Sequence, residues 1–188
     1  MRLILASKSP RRRQILGEMG YSFEVLVAEC DETYADTISP RDGVELLARR
    51  KGAAVADAHG LLSDEETVIL SSDTLVDLNG VALGKPVDEA EAAQMLRALS
   101  GAVHYVHTGV AVRRGERVLS GVATTAVYFH ELTDAQIDEY VRSGEPMDKA
   151  GAYGIQGAAG KFVSHIDGDF DTVVGLSAAL VRELMEKI

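Results

Sequence analysis

Thr67-Val68-Ile69-Leu70-Ser71-Ser72-Asp73-Thr74-Leu75-Val76-Asp77-Leu78-Asn79-Gly80-Val81-Ala82-Leu83 is the stretch from which the fold is read. Thr67 to Val76 is a nearly continuous apolar run, interrupted by Ser71-Ser72-Asp73-Thr74, and reads as a buried strand. Asn79-Gly80 is the strongest hairpin signal in the chain and joins that run to Val81-Ala82-Leu83. On its N-terminal side, Arg2 to Ala6 reads as a short buried strand. Ser9 looks like a helix N-cap with Pro10 at the first helical position, giving a helix to about Met19. Phe23 to Val27 is a second strand. From Arg41 to about Ala58, Val44, Leu47, Ala48 and Val55 recur at helical spacing. On the C-terminal side, Asp88 and Glu91 open a helix to about Leu99. Val103 to Val112 and Val118 to Phe129 form a hairpin around Arg114-Gly115-Glu116. Thr133 and Gln136 make a capping box for a helix to about Arg142. A glycine-rich segment follows from Gly151 to Gly160, then a strand near Phe162 to Ile166. The closing helix carries Leu180, Val181, Leu184 and Met185 on one stripe. Early alternation of helix and strand around a central hairpin predicts α/β with a mixed sheet, not a purely parallel one.

With 188 residues and no linker, repeat or low-complexity segment, residues 1–188 read as one domain. The net charge of −10, with 5% aromatics and no Trp, argues against nucleic acid or an anionic membrane as partner. No run is apolar and long enough to span a bilayer, and Met1 to Ser7 is too short for a signal peptide. Cys30 is the sole cysteine, so internal disulfides and multi-cysteine metal sites are excluded and a reducing, cytoplasmic location is expected.

Four places break a local rule. Ser7-Lys8-Ser9-Pro10-Arg11-Arg12-Arg13 puts cations at a helix N-terminus, where the dipole disfavours them unless an anion binds there. A phosphate-like anion satisfies the backbone N–H groups and guanidinium forks together; a solvated basic turn is the ordinary alternative. Lys51 falls on the apolar stripe of its helix, so it snorkels, pairs or faces a cleft, while Arg49 and Arg50 read as surface. Asp73, at the end of a buried strand, must be paired, metal-bound or poised as a base, and the Asn79-Gly80 hairpin folds Lys85 back toward it. Asp77 reads as a turn residue. Asp148 to Gly160 permits close backbone approach to a ligand, with Gln156 able to read a base edge, although it matches neither a P-loop nor G-x-G-x-x-G. The acidic cluster Glu29-Cys30-Asp31-Glu32 suits Mg²⁺ or Mn²⁺, or is a solvated loop. His104 and His107 point to opposite faces of a strand, which speaks against a shared metal.

These residues resemble the Maf family of nucleoside triphosphate pyrophosphatases. Leu5 to Leu16 is similar to its opening signature. Asp31-Glu32-Thr33, Ser72-Asp73-Thr74, Leu83-Gly84-Lys85-Pro86, His107-Thr108-Gly109-Val110, Asp148 to Gly157 and Val174-Gly175-Leu176 are similar to later blocks, in order. The resemblance implies a mixed α/β fold with flanking helices and two lobes around a cleft, like the inosine triphosphate pyrophosphatases. It also implies a cytoplasmic, divalent-metal-dependent enzyme, often a homodimer, that releases pyrophosphate from nucleotides. Carried over, Asp73 is the catalytic proton acceptor and, with Glu32, a metal ligand. Ser7, Arg12, Arg13, Lys51 and Lys85 contact phosphate. Arg11, Thr74 and Gln156 set specificity, with identities similar to the dTTP/UTP subgroup. Ser177 stands where the family has Pro. The alternatives are a 7-methyl-GTP pyrophosphatase, a phosphatase, and a nucleotide-binding regulator of cell division without turnover.

Overall fold

The computed structural model describes residues 2–188. Seven strands form one mixed sheet: β1 (Arg2–Leu5), β2 (Glu24–Val25), β3 (Thr67–Leu78), β4 (Val81–Leu83), β5 (Val103–Arg114), β6 (Arg117–Phe129) and β7 (Val163–Asp167). The helices are α1 (Pro10–Glu18), α2 (Pro40–Ala58), α3 (Glu89–Leu99), α4 (Asp134–Arg142), α5 (Phe170–Val174) and α6 (Ala178–Lys187). The sheet runs β2-β1-β3-β5-β6-β7, with β4 added beside β3. Only β2, β1 and β3 are mutually parallel; every other pairing is antiparallel. The expected mixed sheet is therefore present.

Local chemistry sets the element ends. Ser9 caps α1 through its hydroxyl, Asp88 caps α3, and Thr133 and Gln136 form the capping box of α4. Ser177 caps α6 by accepting from the Leu180 N–H at 3.3 Å. Asn79 and Gly80 both have positive φ, as a two-residue hairpin turn requires, and Asp77 closes the turn on the Gly80 N–H at 2.7 Å. Two expectations need correction, and some elements were not expected. Asp73 does not end its strand but lies in the middle of the twelve-residue β3. The second strand shrinks to Glu24–Val25. Helix α5 and the short 3₁₀ turns between Glu145 and Phe162 carry too few apolar repeats to be seen in the sequence.

One face of the sheet is covered by α2, whose backbone comes so near β5 that a Cβ at Gly109 would overlap the Val44 carbonyl. The other face carries two separate apolar clusters. One joins α1 and α6 to β1, β3 and β5 through Leu5, Leu16, Leu70, Val112 and Leu184. The second joins α3 and α4 to the opposite strand ends through Val76, Leu96, Val127, Tyr140 and Phe162. The two lobes meet across the middle of β3. There the strand changes neighbours: β1 pairs with Thr67–Leu70, and β4 pairs with Val76–Leu78 on the same edge. Ser71 to Leu75 are left without a strand partner on that edge, and the cleft opens at this gap.

Under the second lobe, His104 is fully buried between Phe129 and Tyr153, and its Nε2 pairs with the Tyr153 hydroxyl at 2.8 Å. Burial pushes its pKa from 6.5 down to about 4. The native state therefore holds His104 neutral while the unfolded chain takes up a proton below its ordinary value. The stabilisation is complete above pH 6.5 and is lost as pH falls toward 4, by an amount on the order of 3 kcal/mol. Urea midpoints measured from pH 7.5 to 4 are expected to fall more steeply for the native chain than for His104→Phe, which removes the titrating ring.

Candidate active site

The cleft, about 1330 Å³, exceeds the ~300–1,000 Å³ of ordinary small-molecule pockets and can take an extended ligand. Its centre is the carboxylate of Asp73, a buried residue. Lys51 Nζ donates to Asp73 Oδ1 at 2.6 Å and lies 3.2 Å from Glu32 Oε2. The stripe-breaking lysine of α2 is thus paired and faces the cleft. It reaches this point because α2 packs down on small groups: Ser71 Oγ donates to the Ala48 carbonyl at 2.6 Å, and Gly52 passes over the same hydroxyl.

On the other side of β3 stands the basic turn before α1. Ser7 is buried, and its hydroxyl accepts from the Ser9 N–H at 3.2 Å and from Arg12 Nη1 at 3.4 Å. Arg12 also donates through Nε to the Gly175 carbonyl at 2.8 Å and through Nη2 to Thr74 Oγ1 at 3.2 Å. Burial lowers its pKa, and the Asp73 charge opposes that effect. The Gly175 carbonyl also accepts from Ser72 Oγ at 3.1 Å and lies 3.4 Å from Thr74 Oγ1. This carbonyl, not singled out as a site group in the sequence, fixes Arg12 to the central strand. A backbone oxygen leaves no residue-type signal by which to find it.

Lys85, Arg11, Thr74 and Gln156 all line the cleft, as expected. Gly151 N–H donates to the Gly84 carbonyl at 3.0 Å, so the segment before Lys85 and the glycine-rich segment are tied together. Arg13 is exposed, does not line the cleft, and donates to the Lys8 carbonyl at 3.3 Å, bracing the turn from behind. Arg50 is not free surface: its guanidinium donates to the Thr33 carbonyl and, at 3.5 Å, to the Asp31 carbonyl, holding the loop on both sides of Glu32. Asp31 turns inward on that loop, accepting from Thr33 N–H at 2.9 Å and Thr33 Oγ1 at 2.7 Å. These bonds hold its carboxyl below the usual range. Tyr34 then lies flat over α2, where a Cβ at Gly43 would come within 2.5 Å of its ring. His107 and His104 do occupy opposite faces. His107 bonds Asp77 at 3.2 Å and Thr124 at 2.8 Å, away from the cleft.

No group of three or more His, Cys, Asp or Glu gathers among the described residues. What does converge is a pair of carboxylates, Glu32 and Asp73, on the single cation of Lys51. Carboxylate oxygens are the donor type that Mg²⁺ and Mn²⁺ prefer, and these ions bind few protein carboxylates and complete their shell with water and phosphate oxygens.

The whole described chain, residues 2–188, matches the model of the Maf-like protein family. The chain belongs to that family. A Bacillus cytotoxicus relative named dTTP/UTP pyrophosphatase is 48% identical over 186 residues, covering 98% of this chain and 95% of the relative. Relatives of the same name from Bacillus mycoides and a Bacillus cereus strain are 48% and 46% identical over the same spans. Among solved structures, the Staphylococcus aureus Ham1 protein aligns with a TM-score of 0.51 at 14% identity, covering 70% of this chain and 73% of that one. That likeness concerns the fold alone, and the Maf-like chain shares its mixed α/β architecture.

The buried pair at the heart of this Maf-like site makes a stability prediction. Lys51→Met strands a buried carboxylate and is expected to lower unfolding free energy by about 3 kcal/mol. Adding Asp73→Asn removes the unpaired charge and is expected to restore most of that loss in urea titrations. Additive losses in the double variant would show that the two residues are not coupled.

Proposed function

We propose that this chain is a nucleoside triphosphate pyrophosphatase acting on dTTP and UTP, yielding the monophosphate and pyrophosphate. The observation that carries this reading is the unpaired middle of β3, where a buried carboxylate faces a cleft with a basic helix start on one side and Lys85 on the other. Such a site suits a triphosphate laid across a base. A plain polyanion binder gains nothing from Asp73, because a carboxylate beside its ligand repels it. The names of the Maf-family relatives support the same reaction and the same nucleotides.

In this reading, Lys51 engages Oδ1 of Asp73, and Oδ2 takes the proton of the attacking water. The water oxygen bonds to the α-phosphorus as the bond from that phosphorus to the bridging oxygen breaks, and pyrophosphate leaves with the electron pair. Arg12, Lys85 and the Ser7-to-Arg11 turn compensate the charge on the leaving group. Arg12 is already ordered by Gly175, Ser7 and Thr74, so little rearrangement accompanies the step. Glu32 and Asp73 would hold a divalent cation, Mg²⁺ or Mn²⁺, which when bound supplies Lewis-acid polarisation of a phosphoryl oxygen. Arg13 acts behind the turn, and Arg11, Thr74 and Gln156 act on nucleotide choice. A cytoplasmic location completes the proposal.

The test is a product assay with dTTP, UTP, CTP, GTP and 7-methyl-GTP, with and without Mg²⁺ or Mn²⁺, reading pyrophosphate apart from orthophosphate. Metal-dependent pyrophosphate from dTTP and UTP is expected, and Asp73→Asn is expected to stay folded at the assay temperature while losing turnover. Orthophosphate as the sole product would make the protein a phosphatase, and a faster reaction with 7-methyl-GTP would move it to that specificity. Lys85→Ala is expected to lower kcat/KM by about 10²-fold, the effect of removing one preorganised charge donor. Unchanged kinetics would take Lys85 out of the site.

A further inference from the structure

The loop that carries Gln156 lies between two 3₁₀ turns, Ala150–Ala152 and Ala158–Phe162. Two side chains from the preceding turn, Glu145–Asp148 and its cap Lys149, lie across its glycines. A Cβ at Gly157 would overlap the Glu145 carboxylate, and one at Gly154 would come within 2.6 Å of Lys149 Cε. These glycines are therefore not general hinges. They are the positions at which the loop backbone passes beneath a side chain.

Both oxygens of Glu145 are committed there. Oε2 accepts from the Ala158 N–H at 3.2 Å, and Oε1 accepts from the Tyr140 hydroxyl at 3.1 Å. The same hydroxyl accepts from the Gly154 N–H at 3.4 Å. Tyr140 is buried on α4 and stands edge-on to Phe162, 5.3 Å between centroids, so its hydroxyl is anchored in the second lobe's core. Burial, then the Glu145 charge, push the Tyr140 pKa upward and keep that hydroxyl a donor. Gly154 and Ala158 are two residues before and two after Gln156. One phenol–carboxylate pair thus ties both ends of the turn whose apex presents the Gln156 carboxamide, exposed at the cleft.

A carboxamide offers an acceptor and two donors on one planar group, so it discriminates between base edges only while its backbone is held. We propose that Glu145 is a positioning residue that sets nucleotide selectivity by clamping the Gln156 turn at both ends. The proposal rests on the reading of the cleft as a nucleoside triphosphate site with Gln156 at its base end. Glu145 acts through Gln156, and its loss leaves the Asp73–Lys51 centre in place.

The test is calorimetric binding of UTP and of GTP, with divalent metal chelated, to the native chain, Glu145→Ala, Gln156→Ala and the double variant. The native chain is expected to prefer UTP. Glu145→Ala is expected to lower the UTP/GTP affinity ratio by about tenfold, in line with the loss of one to two hydrogen bonds. In the Gln156→Ala background, Glu145→Ala is expected to lower it no further. With Mg²⁺ present, the loss is expected in KM for UTP more than in kcat. A native-like ratio in Glu145→Ala, a further fall in the double variant, or no UTP preference in the native chain would overturn the proposal. If Glu145→Ala loses its thermal transition, Glu145→Gln takes its place. It keeps one of the two acceptors and is expected to give an intermediate ratio, a native ratio again overturning the proposal. Pyrophosphate release by the native chain is read separately: its absence beside an intact UTP preference would sink the hydrolase reading and leave Glu145's role standing.

Discussion

The Asp73 carboxylate, with its side chain 9% exposed, sits at the middle of a central strand 2.6 Å from Lys51 Nζ, and much of the molecule is arranged around it. A charge withdrawn from water this far requires a partner, and the partner must come from an element rigid enough to hold it. Helix α2 is that element. It lies on the sheet wherever the sheet offers small groups, at Gly109 beneath Val44 and at Ser71 beneath Ala48 and Gly52. Larger residues at those points would lift the helix and carry Lys51 away from the strand.

The break in edge pairing is the second constraint. Because β1 ends at Leu5 and β4 begins opposite Val76, the middle of β3 is open on one edge without being an exposed sheet edge in the ordinary sense. The basic start of α1 and the Lys85 segment flank this opening, and the carbonyl of Gly175 gathers Arg12, Ser72 and Thr74 against it. The Ser72 and Thr74 hydroxyls beside the gap are therefore satisfied from the protein side while the cleft side stays open.

Much of the site was legible because its residues contradict their surroundings. Cations at a helix start, a lysine on an apolar stripe and an aspartate inside an apolar run are each unfavourable alone; folding pairs the lysine with the aspartate and sets the basic turn on the same cleft. The helices with strong caps and the Asn79-Gly80 hairpin were legible for the opposite reason, since local chemistry and global fold agree there. Arg50, Glu145 and Tyr140 were not legible. Each is an ordinary residue in an ordinary place along the chain, and only its reach to a distant backbone group gives it a role. Arg13 shows the converse: a phosphate contact by the family resemblance, it donates to the Lys8 carbonyl behind the turn, since consecutive helical residues face directions about 100° apart.

By itself, the sequence determined the element types, the mixed character of the sheet, the family and the charged groups that must meet a partner. Periodicity, capping and the free energy of isolated charges are properties of short segments, and they act before any long-range contact forms. Tertiary structure alone decided that Asp73 lies mid-strand in a gap of pairing, that Lys51 bridges it to Glu32, that the Gly175 carbonyl gathers Arg12, Ser72 and Thr74, and that the Glu145 carboxylate bonds the Gln156 turn. Those facts depend on where strands stop relative to one another and on which backbone atoms a side chain can reach, and neither is recorded in any local stretch of residues.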